Sequence, residues 1–171
     1  MDTFKLDYSN LDNGKRQVIP EGTYELLIDH GEVKGTSNGN ELIDVTFIVR
    51  NDLDQVPELK ETNGKYHNWK VYGAIFQDQE THRYSPIDLG YYMRACGVPD
   101  GTAINGMQHF LDLMQGKPVK AFVSQRKSTY QGQKQVQNRV YPNRLEVTNY
   151  PTVNHKGKTT QAQPQADDLP F

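Results

Sequence analysis

Residues 22–49 read GTYELLIDHGEVKGTSNGNELIDVTFIV, and this stretch decides the fold. On its first arm Tyr24, Leu26 and Ile28 alternate with Glu25 and Leu27. On its second arm Ile43, Val45, Phe47 and Val49 alternate with Asp44, Thr46 and Ile48. Period two puts one row of side chains into a core and the other toward solvent, so both arms are strands. The polar segment Lys34 to Asn40 between them contains Asn38-Gly39, a pair that readily takes the positive φ angles of a tight turn. The stretch is a long β-hairpin around which the rest of the chain closes.

Working outward, Met1 to Ile19 scatters Phe4, Leu6, Tyr8 and Leu11 among polar residues and reads as an arm, which Pro20-Glu21-Gly22 turns into the first strand. Residues 65 to 76 are aromatic and β-branched enough to predict a third strand. Ser85-Pro86-Ile87-Asp88 is a helix start, with Ser85 as cap and Pro86 at the first turn. Leu89, Tyr92, Met93 and Cys96 then follow at helical spacing up to Gly97, predicting a helix over 86–96. A second short helix is expected over 108–115. Val119, Ala121 and Val123 mark a fourth strand over 118–124. Gln125 to Gln135 reads as a basic loop, with last strand pieces over 136–141 and 144–147.

The expected fold class is all-β with short helices: an OB-fold, a five-stranded barrel with a helical insertion between strands 3 and 4. An SH3-like barrel or a small sandwich satisfies the same strand count. Residues 1–150 form the expected domain. Residues 151–171 are expected to be a flexible linker and tip, because 154 to 170 have too few apolar side chains to offset the entropy of ordering.

The net charge of −2 conceals a division along the chain. Residues 1–116 hold 10 Lys or Arg against 18 Asp or Glu, a net −8; residues 117–158 hold 9 against 1, a net +8. The basic part interleaves Lys120, Arg126, Lys127, Lys134 and Arg139 with Tyr130 and Tyr141, and Lys65, Tyr66, Trp69, Lys70 and Tyr72 on the third strand extend the same chemistry. Cations that follow phosphates and rings that accept any base are how single strands are held without a fixed sequence. A solvated charged face is the plainer reading of the same run, and core packing that of any one ring.

No catalytic constellation stands out, and no cofactor is expected. His30, His67, His82, His109 and His155 are scattered and pair with neither Cys96 nor carboxylates at metal-ligand spacing, so no metal is expected either. The single cysteine rules out an intramolecular disulfide. With no apolar run of membrane-spanning length and no signal-like start, a cytoplasmic protein is expected. The last five residues, Asp167-Asp168-Leu169-Pro170-Phe171, set two carboxylates before apolar anchors and read as a short linear ligand.

Those five residues, after a Gln- and Pro-containing linker, closely resemble the C-terminal tip of bacterial single-stranded-DNA-binding proteins. The resemblance implies an OB-fold that binds DNA and a tip that recruits replication, recombination and repair proteins through Pro170 and Phe171, with Asp167 and Asp168 making electrostatic contacts; Leu169 joins them as an apolar anchor on the chemistry of the tip. The body lacks the compact N-terminal domain of the bacterial proteins. It is similar instead to a phage-encoded family of single-stranded-DNA-binding proteins: the Gly22-Thr23-Tyr24 strand entry, the glycine-containing hairpin, a helix ending Cys96-Gly97, and Met114-Gln115-Gly116-Lys117 before a basic strand carry that likeness. It implies a protein that binds and protects single-stranded DNA in the bacterial host, with a homo-oligomer, dimer or tetramer, among the expectations. A phage accessory protein making only protein contacts and a carboxylate-dependent nuclease are the alternatives.

Overall fold

The computed structural model describes residues 18–157, leaving aside the side chain of Tyr130. The central hairpin is β1 (Gly22–Gly35) and β2 (Glu41–Val49). Tyr24, Leu26, Ile28, Ile43, Val45, Phe47 and Val49 are all buried, as the alternation requires. The turn is closed by the Thr36 amide, which donates to the Asn40 carbonyl at 2.8 Å, and Gly39 takes a φ of 87°. One departure from the pattern is a bulge at Asp29. Ile28 faces Phe47 and His30 faces Thr46, so Asp29 is the extra residue.

The third strand is shorter than its composition suggests. Lys65 and Tyr66 belong to a single-turn helix, α1 (Asn63–Tyr66), and β3 (Lys70–Phe76) starts only after Asn68 reverses the chain with a φ of 71°. The reason lies in Asn63. Its fully buried amide pairs with both the N–H and the C=O of Glu25 and with the C=O of Arg50, so the segment folds inward as a plug before resuming as strand.

Two helices then cross from β3 to β4. In α2 (Pro86–Ala95) the Ser85 hydroxyl accepts from the Ile87 and Asp88 amides, a cap of about 1 kcal/mol. Gly97, at a φ of 82°, ends the helix. Tyr92 of α2 is fully buried against Phe47, and it bears on Gly73: a Cβ there would come within 2.8 Å of the Val140 carbonyl and 2.9 Å of the Tyr92 hydroxyl. Only glycine lets these three elements meet. The second helix, α3 (Met107–Met114), sets Met114 and Leu111 over Gly31 of β1.

The largest departure is at the end. The expected basic loop is a strand hairpin, β4 (Pro118–Tyr130) and β5 (Gln133–Val147), joined by Gln131 and Gly132 with φ of 51° and 78°. Positive φ at both central residues is the geometry of a two-residue turn matched to strand twist. The pairing runs in register from Val123–Val140 to Tyr130–Gln133, and it is held by backbone bonds rather than burial. Hydrophobic alternation therefore gives no sign of it.

The strands form one closed ring in the order β1-β2-β3-β5-β4, with β1 paired to both β2 and β4. All neighbours are antiparallel except β3 and β5, which meet in parallel at Tyr72–Arg139 and Gly73–Val140. Past the expected domain end at 150, residues 150–156 are tied to the loop after β2. Arg50 donates to the carbonyls of Tyr150 and Thr152, and Asn51 and Asp52 bond Asn154, His155 and Lys156. Residues 158–171 lie outside the described residues. Among the described residues, no helix is long and apolar enough to cross a membrane.

Candidate nucleic-acid interface

Because Val45, Phe47, Val71, Ile75, Val123 and Val140 point into the ring, the residues between them lie on its other face, where Thr46, Ile48 and Ala74 are covered and Tyr72 and Phe76 are exposed. Register then builds a row across all five strands: His30 faces Thr46, Thr46 faces Tyr72, Tyr72 faces Arg139 and Arg139 faces Ser124. Four interstrand spacings make this row about 19 Å long. Tyr72 lies at its centre, 38% exposed, and Phe76, four residues along the same face of β3, is 56% exposed. The two positions are about 13 Å apart along the strand. Lys70 precedes Tyr72 on the same face, opposite Ile48, and is partly buried.

Arg139 is the cation of the row. Its Nη2 makes one long bond to Gln137 Oε1 at 3.4 Å, and its buried Nε has no hydrogen-bond partner among the described residues. The enclosed Nε–H does not reach an outside ligand, but a guanidinium keeps its charge and its terminal nitrogens carry further donors, which beside an exposed ring suit a phosphate next to a stacked base. The β1–β2 flank has the opposite polarity. There Glu32 and Asp44 face each other, and Lys34 is engaged by both, at 3.3 and 2.8 Å. The Asp44 hydrogen bond is the main cause of a raised Lys34 pKa. A polyanion crossing this face is therefore directed over β3 and β5, away from the turn of the first hairpin.

That direction leads onto the β4–β5 hairpin, whose two faces carry different residues. Arg126, opposite Gln137, shares the parity of Ser124 and Arg139, and Tyr141, 38% exposed, lies two residues beyond Arg139. Lys127, opposite Val136, and Lys134, opposite Thr129, are exposed with the other parity. Behind that second face Asn138 and Gln125 grip the backbone of Ile19, at 2.8 to 3.0 Å. Tyr130 is the last residue of β4, opposite Gln133.

Residues 4–165 match the family described as "Protein of unknown function (DUF669)". The chain belongs to that family. No curated protein matches the chain. The family match spans the ring, the helical crossover and the basic hairpin together, so the row described above lies wholly inside it.

The remaining candidate residues are not part of the row. Lys120 projects from β4 between Glu25 of β1 and Glu146 of β5, a setting that works against a phosphate. Tyr66 and Trp69 are partly buried against the core, and Tyr66 sits edge-on to both Tyr24 and Trp69, with ring centroids 6.4 and 6.2 Å apart. Burial, and then the neighbouring Tyr66, pushes the Tyr24 hydroxyl up to about 12. Lys65 lies over the Tyr66 ring at 5.6 Å. Together they form a packed aromatic cluster against the core. The tip residues Asp167, Asp168, Leu169, Pro170 and Phe171 lie outside the described residues.

Sequence reading missed Phe76, although period two from Tyr72 leads directly to it. It also missed Thr46 and Ser124, which enter the row only through register between distant strands. As for reactive groups, burial pushes the Cys96 thiol up to about 12, which keeps it un-ionised at neutral pH. Among the described residues no three His, Cys, Asp or Glu side chains are grouped to hold a metal ion.

Proposed function

We propose that this chain is an OB-fold protein that binds and protects single-stranded DNA, without strong sequence preference, during phage replication and recombination in the bacterial host. The strand order, the parallel β3–β5 contact and the helical crossover between β3 and β4 support the OB reading. The observation that carries the binding reading is the Tyr72–Arg139 pair: an exposed ring and a cation with one long side-chain bond, in register on one face of the sheet. The strand passes over Tyr72 and Phe76 and continues along the Arg126 face of the hairpin. Stacking contributes about 1–3 kcal/mol per base, and each phosphate neutralised adds about 0.7 to the slope of log affinity against log salt. The tip Asp167–Phe171 recruits replication, recombination or repair proteins.

The test is fluorescence anisotropy of a labelled single-stranded oligonucleotide with unlabelled single-stranded DNA, duplex DNA and RNA as competitors. Single-stranded DNA is expected to displace the probe best. Equal competition by all three, or no binding, overturns the proposal. Deleting Asp167 to Phe171 is expected to leave binding intact or slightly tighter while abolishing capture of partner proteins in a pull-down.

A further inference from the structure

An apolar hollow lies away from the row, between α2 and α3. Leu89, Met93, Val98, Ile104, Met107 and Phe110 line a groove of about 720 Å³, in the roughly 300–1,000 Å³ range of sites that take small ligands. Arg94 stands on its α2 side, with its guanidinium 5.3 Å from the Tyr91 ring, and among the described residues no carboxylate pairs with it. Asp100 stands on the loop side. The groove thus offers apolar sites for two or three side chains and one unpaired cation.

We propose that this groove holds the chain's own tip, with Leu169 and Phe171 in the apolar floor and Asp167 and Asp168 toward Arg94. Three observations select this occupant. The tip combines a carboxylate pair with two large apolar side chains within five residues, matching what lines the groove, and residues 158–166 carry no large apolar side chain to compete. Asp167 is ten residues beyond Gly157 and Phe171 is fourteen. Extended chain therefore carries the tip about 33–50 Å, against a diameter of about 37 Å for a domain of this size. The other terminal segment, residues 1–17, joins the fold at Val18, which lines a separate hollow with Lys127, Lys134 and Val136.

Tethering gives the tip an effective concentration in the millimolar range, so a weak groove contact suffices to populate the docked state. The docked tip is withheld from other proteins and becomes available when a partner outcompetes the groove. This inference rests on the tip being a ligand and is independent of the DNA-binding reading.

The test uses full-length protein labelled with ¹³C at the methionine methyls. Met93 and Met107 line the groove, whereas Met114 is buried in the core and serves as the internal control. The Met93 and Met107 resonances are expected to differ between the native chain and Leu169→Ala/Phe171→Ala, with Met114 unmoved. A synthetic peptide of residues 166–171 added to that variant should restore the native positions, and Ile104→Glu, at an exposed loop position, should erase the difference. Identical Met93 and Met107 resonances in the native chain and the tip variant overturn the proposal. So does a difference that fades on dilution, which assigns the groove to the tip of a second copy. Anisotropy with single-stranded DNA on the same variant should be unchanged; its loss bears on the DNA reading alone.

Discussion

Two arginines of this chain meet opposite ends. Arg50 is fully buried, with its Nε and Nη2 on both oxygens of Asp52 at 2.9 and 2.7 Å and its remaining donors on Thr148 and the carbonyls of Tyr150 and Thr152. Arg139 lies on the row with one long side-chain bond and a buried Nε that has no acceptor among the described residues. The same guanidinium is saturated in one place and under-used in the other. Saturation marks a structural knot, here the one that ties residues 150–156 onto the loop after β2; the lightly engaged guanidinium is the one that the proposed interface uses.

The sharpest way to break this contrast is to remove each arginine in turn. Arg50→Ala leaves Asp52 with backbone amides alone and strips the Tyr150 and Thr152 carbonyls of their Arg50 donors, and is expected to cost about 3–5 kcal/mol of stability, read by urea unfolding. Arg139→Ala is expected to cost about 1 kcal/mol or less while weakening single-stranded DNA binding. Equal losses of stability would erase the distinction between them.

The next effect concerns the ring beside Arg139. Tyr72→Ala is expected to weaken binding by about 1–3 kcal/mol in anisotropy titrations with little change in the unfolding midpoint, because the ring is partly exposed. Trp69→Ala should do the reverse, since its ring packs against the core and Tyr66. A smaller effect separates the cations. Arg139→Gln should lower the salt slope by about 0.7, whereas Lys120→Gln, between Glu25 and Glu146, should leave it unchanged.

How much of this was legible in the sequence depends on what holds each element. The first hairpin and both crossover helices are held by apolar burial and a serine cap, and alternation, helical spacing and Ser85-Pro86 announce them. The β4–β5 hairpin stands on backbone pairing with polar residues on both faces, so its sequence looks like a loop, and Gln131-Gly132 is its one local mark. Tyr66 and Trp69 were read as strand residues because composition favours a strand there, yet the buried Asn63 amide draws the segment into a plug. Tyr72 and Arg139 were legible as residue types. Their adjacency was not, because it arises from a parallel contact between strands 67 residues apart in sequence.

The smallest predicted effect lies in the Arg50 knot. Burial alone raises the Asp52 carboxyl, but the Arg50 hydrogen bonds and charge and the Asn154 amide outweigh it and hold the group below its ordinary value. Burial lowers the His155 imidazole, whose Nδ1 accepts from the Asn51 amide at 3.0 Å and so is unprotonated. A depressed histidine contributes stability that is complete above its unfolded value of about 6.5 and lost as pH falls through its folded value; Asp52 acts in the same direction below about pH 4. Amide exchange at Asn51, Asn154 and Lys156, corrected for intrinsic rates, should therefore quicken between pH 7.5 and pH 5.5 while the amides of Tyr72 and Arg139 hold. Unchanged exchange at the knot would contradict this ordering.

The most direct measurement of the central claim is photocrosslinking of the full chain to single-stranded DNA carrying 5-iodouracil, with the attached residues read by mass spectrometry. Attachment at Tyr72 and Phe76, lost from Tyr72 when Arg139 is replaced by Ala, is the predicted result. Attachment confined to Tyr66 and Trp69, or to residues around Lys120, would contradict it.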